Sequence, residues 1–181
     1  MALRPAKTCR QINKVAWTRY SRKKPKKSFV KAMPHNSLVI YKMGKINSAY
    51  DTKIDLVCSS PIQVRDNALE SARQAVNKYL EKTIPENYQL FVQVYPHNVL
   101  RENKMILGAG ADRLQKGMRK AYGRAMDRAA RIYARQIVFS ASTMSSNLPV
   151  IKEAYRRAKA KLPGSYRLKI TQAKAVEIEV N

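Results

Sequence analysis

Lys53-Ile54-Asp55-Leu56-Val57-Cys58-Ser59 is followed, beyond Pro61, by a run whose apolar positions are Val64, Ala68, Leu69, Ala72, Ala75, Val76, Tyr79 and Leu80. The first seven residues begin with the polar–apolar alternation of a half-buried strand. After Pro61 the period changes to that of a helix, with Arg65, Asp66, Glu70, Arg73, Lys78 and Glu81 falling mostly on the opposite face, and Pro85 limits its end. A strand that passes into an amphipathic helix implies a sheet with a helix laid across it.

The flanks repeat the theme. Upstream, Ser37–Met43 is short, β-branched and apolar and closes at Gly44, which predicts a strand. Downstream, Tyr88–Tyr95 alternates and meets Pro96, Val99–Arg101 resumes briefly, and Ile132–Ser140 reads as a further strand. Asn147 is placed to cap a second helix with Pro149 in its first turn, and Val150, Ile151, Ala154, Tyr155, Ala158 and Leu162 form its apolar stripe. Pro163-Gly164 ends that helix. Tyr166, Leu168 and Ile170, then Val176, Ile178 and Val180, give two last alternating strands. The fold class is therefore α+β, one antiparallel-rich sheet with two packed helices and no internal repeat. A basic arm over 1–34 precedes a single body over 35–181, which a basic loop over about 104–130 interrupts.

The charge is lopsided. Among 181 residues there are 36 Lys or Arg and 12 Asp or Glu, a formal net charge of +24 and a pI of about 10.3. A hydrophobic fraction of 45% is enough for a core, so this is not a disordered basic tail throughout. Such a chain repels itself, and a polyanion relieves the repulsion while releasing condensed counterions, so nucleic acid is the expected partner. No stretch approaches the roughly 18 apolar residues of a membrane span, and Arg4, Lys7 and Arg10 interrupt the N-terminus where a signal peptide needs an apolar run. A cytoplasmic location and no membrane partner are expected. Cys9 and Cys58 are expected to be reduced.

The sequence carries little that reads as reaction chemistry. Gly108-Ala109-Gly110 begins like a dinucleotide fingerprint, but Arg113 stands at the third glycine position and no Walker Lys-Ser/Thr follows. Cys9, His35, Cys58 and His97 have no zinc-ligand spacing, so neither a metal nor a cofactor is expected. The acids are dispersed, and neither histidine has a nucleophile beside it. No catalytic residue and no enzyme activity are predicted.

The basic residues are concentrated instead. No acid occurs from Met1 to Tyr50, where Trp17 and Tyr20 stand among Lys and Arg, an arrangement suited to folding onto phosphates and stacking on bases. Arg101–Arg135 weaves ten Lys or Arg through Gly, Ala and Met. Arginine forks match phosphate oxygens, and glycines allow close backbone approach. A mobile solvated loop remains an equal reading of that composition.

Asn103-Lys104-Met105, Gly110-Ala111-Asp112-Arg113-Leu114-Gln115-Lys116-Gly117-Met118-Arg119 and Ala129-Ala130-Arg131-Ile132 resemble the signature of a family: large-subunit ribosomal protein ten of archaea and eukaryotes, the counterpart of bacterial large-subunit protein sixteen. Arg4-Pro5-Ala6-Lys7 with Cys9-Arg10, Ala68-Leu69-Glu70-Ser71-Ala72-Arg73 with Asn77-Lys78-Tyr79, and Val99–Lys104 extend the resemblance over nearly the whole chain. Ending at Asn181, the chain is similar to the archaeal members. It departs from the family at Gly123-Arg124-Ala125, where Gly-Lys-Pro is usual, retaining the cation and losing the proline.

The resemblance implies a structural component of the large subunit that binds rRNA and helps position the tRNA acceptor arm near the peptidyl transferase centre. The expected rRNA-binding residues are Arg4, Lys7, Arg10, Arg19, Arg22, Lys23 and Lys24. Those expected on the loop facing tRNA are Arg101, Lys104, Arg113, Lys116 and Arg119. Large-subunit rRNA, tRNA in the A and P sites and other large-subunit proteins are the expected partners, and no homo-oligomer is expected. An RNA-modifying enzyme and a basic DNA-compacting protein are the alternatives from other classes.

Overall fold

A computed structural model describes residues 33–47, 49–102, 108–110 and 124–172, together with Ile12. Eight strands and two long helices follow the order β1 (Lys42–Gly44), β2 (Thr52–Cys58), β3 (Ile62–Arg65), α1 (Asp66–Thr83), β4 (Tyr88–Val92), β5 (Asn98–Glu102), β6 (Arg124–Ile132), β7 (Ile137–Thr143), α2 (Leu148–Lys159) and β8 (Tyr166–Gln172). The α+β class holds, and every strand pairing is antiparallel. One expected sheet is in fact two: a five-stranded sheet ordered β1-β4-β7-β2-β8 and a three-stranded sheet ordered β3-β6-β5.

Helix α1 forms where the sequence periodicity puts it. Leu69, Ala72, Val76 and Leu80 recur on one stripe and are all fully buried. Its start moves from Val64 to Asp66, because Val64 belongs to β3, where it pairs with Ala130 and enters the same core. The Ile84 N–H bonds back to the Leu80 carbonyl at 2.8 Å, Pro85 cannot continue the ladder, and Glu86 takes a φ of 61° to turn the chain into β4. In α2, Ile151, Ala154, Tyr155 and Ala158 are buried and face the same core. Asn147 precedes α2 as expected but makes no side-chain cap; its Nδ2 reaches the Thr143 Oγ1 instead, at 3.4 Å.

The core lies between the helices and the inward sides of both sheets. Ile54, Leu56, Phe139, Ala141, Leu90, Val64 and Ile132 all contribute to it, and the Tyr155 hydroxyl donates to the Ile54 carbonyl at 3.0 Å, fixing α2 to the middle of β2. The chain uses Gly44 where β1 meets β4: at φ +80° a Cβ there would stand 2.1 Å from the Tyr88 carbonyl oxygen.

Three expectations, two strands and part of the loop, are revised. Residues 37–40 do not pair; Asn36 holds them by accepting from the Leu38 N–H at 3.2 Å and donating to its carbonyl at 2.7 Å, so the ladder begins only at Lys42. The expected strand Ile132–Ser140 is broken into the end of β6 and the start of β7. Between them Arg135 has a φ of 66°, and the turn is held by the Arg135 N–H on the Cys58 carbonyl at 2.8 Å and the Tyr133 N–H on the Gln136 side chain at 2.9 Å. The absence of Gly and Pro there concealed the turn. Finally, residues 124–130, expected in the loop, belong to β6, which pairs with β5 between Arg124 and Ala129 and with β3 from Ala129 to Ile132. The expected last strand with Val176, Ile178 and Val180 lies outside the described residues, as do Cys9, Trp17 and Tyr20. Among the described residues no helix is long and apolar enough to cross a membrane.

Candidate nucleic-acid interface

Strands β5 and β6 form a hairpin whose connection is the basic segment 103–123. Its root is set by register: Leu100 opposes Asp127, a bulge intervenes, and then Arg101 opposes Ala125 and Glu102 opposes Arg124. A bulge increases local twist and re-aims the strand ends beyond it. On the side of this sheet away from the main core, Asn98 and Gln63 are each 2% exposed and bonded to one another at 2.7 Å, and Arg65 is ion-paired with Asp127. Buried polar groups paired in this way hold register by geometry where apolar bulk is lacking.

The basic N-terminal segment joins the body beside the same hairpin. From β6, Arg128 donates through Nε to the Pro34 carbonyl at 2.8 Å and through Nη1 to the Tyr95 hydroxyl at 3.4 Å. Asp66, 2% exposed at the first turn of α1, accepts from the Ser37 N–H and from the Asn67 N–H, each at 2.8 Å. A carboxylate suits that helix end electrostatically. Tyr41 completes the junction, stacked on Tyr95 with ring centroids 5.8 Å apart and donating to the Leu38 carbonyl at 3.1 Å. Burial pushes its phenol above the ordinary value, opposed by the hydrogen bond with Asn36. Arg124 and Arg128 are four residues apart on one strand, about 13 Å at strand rise. Both basic segments therefore attach beside the β5–β6 hairpin.

A second basic surface is the outward face of α2, where Lys152, Arg156 and Arg157 are exposed, continued by the exposed Lys161 in the turn just beyond it. Glu153 is the one acid in the helix and serves two arginines, accepting from Arg156 at 2.7 and 2.8 Å and from Arg157 at 3.1 Å. Those bonds, Arg156 first and Arg157 second, lower its carboxyl to about 2. Arg157 also lies over the Tyr79 ring of α1 at 4.0 Å, a cation–π contact that holds the guanidinium close to the helix pair.

Arg101 stands at the loop root among half-buried neighbours, where the register places it. Arg4, Lys7, Arg10, Arg19, Arg22, Lys23, Lys24, Lys104, Arg113, Lys116 and Arg119 lie outside the described residues. Sequence reading missed Arg128 and Asp66 as the residues that seat the arm, because nothing in spacing links Asp66 to Ser37 or Arg128 to Pro34. Among the described residues no group of His, Cys, Asp or Glu is arranged to hold a metal ion. Cys58 is a buried free thiol whose S–H donates to the Ser60 carbonyl at 3.0 Å, and burial pushes its pKa up.

The family model described as ribosomal protein L16p/L10e matches residues 17–169. The chain belongs to this family. Three proteins named large ribosomal subunit protein uL16 give the scale of the likeness. That of Methanococcus aeolicus is 42% identical over an alignment of 182 positions covering 100% of both chains. That of Staphylothermus marinus is 42% identical over 164 positions and 90% of each chain. That of Thermofilum pendens is 41% identical over 174 positions, 96% of this chain and 99% of the relative. The resemblance read from the sequence is thus the family the chain belongs to, and its near relatives are archaeal. The matched region includes the β5–β6 hairpin and α2, so the surfaces described above lie inside the family domain rather than on an appendage.

Proposed function

We propose that this protein is a component of the large ribosomal subunit, acting in the cytoplasm by binding rRNA and helping to position the tRNA acceptor arm rather than by catalysing a reaction. The observation that carries this reading is the convergence at the β5–β6 hairpin. Segment 1–32 has eleven Lys or Arg and no acid, segment 103–123 has five against one acid, and Arg128 and Arg124 tie their ends to the same strand. Two cationic strands of chain leaving a rigid body beside one hairpin can enter RNA together, neutralising phosphates while the body fixes their origin. The exposed row of α2 offers phosphate contacts on a separate surface. Other large-subunit proteins would be neighbours in that assembly.

The arm is assigned to rRNA through Arg4, Lys7, Arg10, Arg19, Arg22, Lys23 and Lys24. The loop is assigned to the tRNA side through Arg101, Lys104, Arg113, Lys116 and Arg119. Incorporation into large subunits, followed by washing at rising salt, tests the assignment. Removal of residues 1–27 is expected to abolish stable incorporation, and Arg113→Ala with Arg119→Ala to spare incorporation while slowing A-site tRNA accommodation. An arm-free chain that assembles and resists salt like the full chain would overturn the first assignment; unchanged accommodation would overturn the second.

A further inference from the structure

The antiparallel register runs one row of side chains straight across the five-stranded sheet on the face away from the core. Lys42 on β1 opposes Phe91 on β4, Phe91 opposes Ser140 on β7, Ser140 opposes Asp55 on β2, and Asp55 opposes Lys169 on β8. Strand alternation adds Gln93, Lys53 and Arg167 to the same face. At the β1–β4 end of the row is a groove of about 330 Å³ lined by Tyr41, Lys42, Phe91, Val92 and Gln93. That lies at the small end of ligand-binding volumes, suited to one planar group rather than a large cofactor.

Its chemistry is specific. The Lys42 ammonium lies 5.9 Å from the centre of the Phe91 ring, and the Tyr41–Tyr95 stack leaves Tyr95 52% exposed beside it. Among the described residues no carboxylate lines the groove; Asp66, whose charge reaches Tyr41, is buried beneath Ser37, and Asp55 on the sheet row is 4% exposed. A π-face, a cation within reach of it, an amide with both donor and acceptor, and a shortage of accessible negative charge together match an unpaired nucleotide. The base stacks on the aromatic ring, Gln93 meets its edge, and Lys42 meets its phosphate. A paired helix offers no free base face, and an acidic peptide has nothing to stack.

We infer that the groove between β1 and β4 holds a single unpaired RNA base against Phe91, with Lys42 on its phosphate. This rests on the proposed RNA-binding role and adds a selectivity for unpaired nucleotides that basic tails alone do not supply.

The test uses the full chain and two RNA hairpins that differ only in whether one 2-aminopurine is bulged or paired, compared at one salt concentration. The bulged hairpin is expected to bind about 5- to 150-fold more tightly, the range of a base–aromatic stack, with a change in 2-aminopurine fluorescence. Phe91→Leu, which keeps apolar bulk and loses the ring, should remove the preference and leave binding of the paired hairpin intact; Phe91→Tyr should retain it. Equal binding of the two hairpins, or a preference that survives Phe91→Leu, overturns the inference and leaves the RNA-binding role standing. Failure to bind either hairpin overturns both. If thermal melting shows Phe91→Leu unfolded, the native chain answers alone: 5-iodouracil at the bulged position, irradiated, should cross-link within residues 41–42 or 88–95. Adducts elsewhere, or none, overturn the inference, including the outcome in which the groove serves a protein neighbour.

Discussion

Strands β2 and β6 occupy equivalent places, each with a neighbour on both sides, and are filled by different material. β2 reads Thr-Lys-Ile-Asp-Leu-Val-Cys and buries Ile54, Leu56 and Cys58 almost completely. β6 reads Arg-Ala-Met-Asp-Arg-Ala-Ala-Arg-Ile and buries only Ala129, Ala130 and Ile132. The first is held by the removal of apolar area from water. The second is held by pairing on both edges, by Asp127 on Arg65, and by Arg128 on Pro34. Stability and attachment are thereby separated: the large sheet makes the body, and the small sheet carries the points from which the basic segments leave.

If that separation is right, truncating the centre of β2 should have the largest effect on folding. Leu56→Ala is expected to lower the stability of the full chain by about 2–5 kcal/mol in urea unfolding. A loss below about 1 kcal/mol would show that the sheet is not held by its apolar row. The small sheet should respond to polar changes instead. Asn98→Ala deprives the buried Gln63 side chain of its 2.7 Å bond, at an expected cost of about 1–3 kcal/mol. The double change to Asn98→Leu with Gln63→Leu should recover part of it, since neither member of this bond is then left facing the other's absence. If the single change costs nothing, the polar pair is not what holds β3 and β5 in register with β6.

The same contrast explains what sequence alone could reach. Leu69, Ala72, Val76 and Leu80 declare α1 because a single buried stripe has a period, and Ile54 and Leu56 declare β2 for the same reason. β6 has no such period: Ala, Arg and Asp are poor strand formers, and only the partners β3 and β5, distant in sequence, make it a strand. The Tyr133–Gln136 turn was hidden because it lacks Gly and Pro. The place of Arg101 at the root of the basic segment was legible from composition and from the family resemblance. Arg128 and Asp66 were not, because each acts on a backbone group brought close only by the tertiary fold.

Alkaline titration probes the large sheet from a different side. Burial raises the phenols of Tyr88, pushed up to about 12, and of Tyr155, which rises well above the ordinary 10.0 with the nearby Asp55 charge adding to burial. A raised folded pKa means the fold prefers the neutral phenol. The contribution is fully present below about pH 10 and is lost as the pH rises through the folded values, because the unfolded chain ionises first. Stability should therefore fall steadily from about pH 10 to beyond 12. Tyr155→Phe is expected to cost about 1 kcal/mol at neutral pH through the lost bond to Ile54, and to make the alkaline fall shallower. An unchanged slope would place the alkaline sensitivity elsewhere in the chain.

The smallest expected effect concerns α2, where charge and stability should be nearly uncoupled. Glu153 is held ionised by Arg156 and Arg157 down to about pH 2. A depressed folded pKa supplies its stabilisation above the unfolded carboxylate range and loses it only as the pH falls towards 2, so nothing should titrate there near neutrality. Its partners Arg156 and Arg157 are exposed, and exposed ion pairs are screened by water and salt. Glu153→Gln should therefore lower the melting temperature only slightly. It should still release two guanidiniums to phosphate, strengthening binding to a paired RNA hairpin and steepening its dependence on salt. Stronger binding with a nearly unchanged melt would mark the α2 row as an RNA contact that the fold does not need. A strongly lowered melt with unchanged binding would assign the Glu153 cluster to folding and take α2 out of the interface.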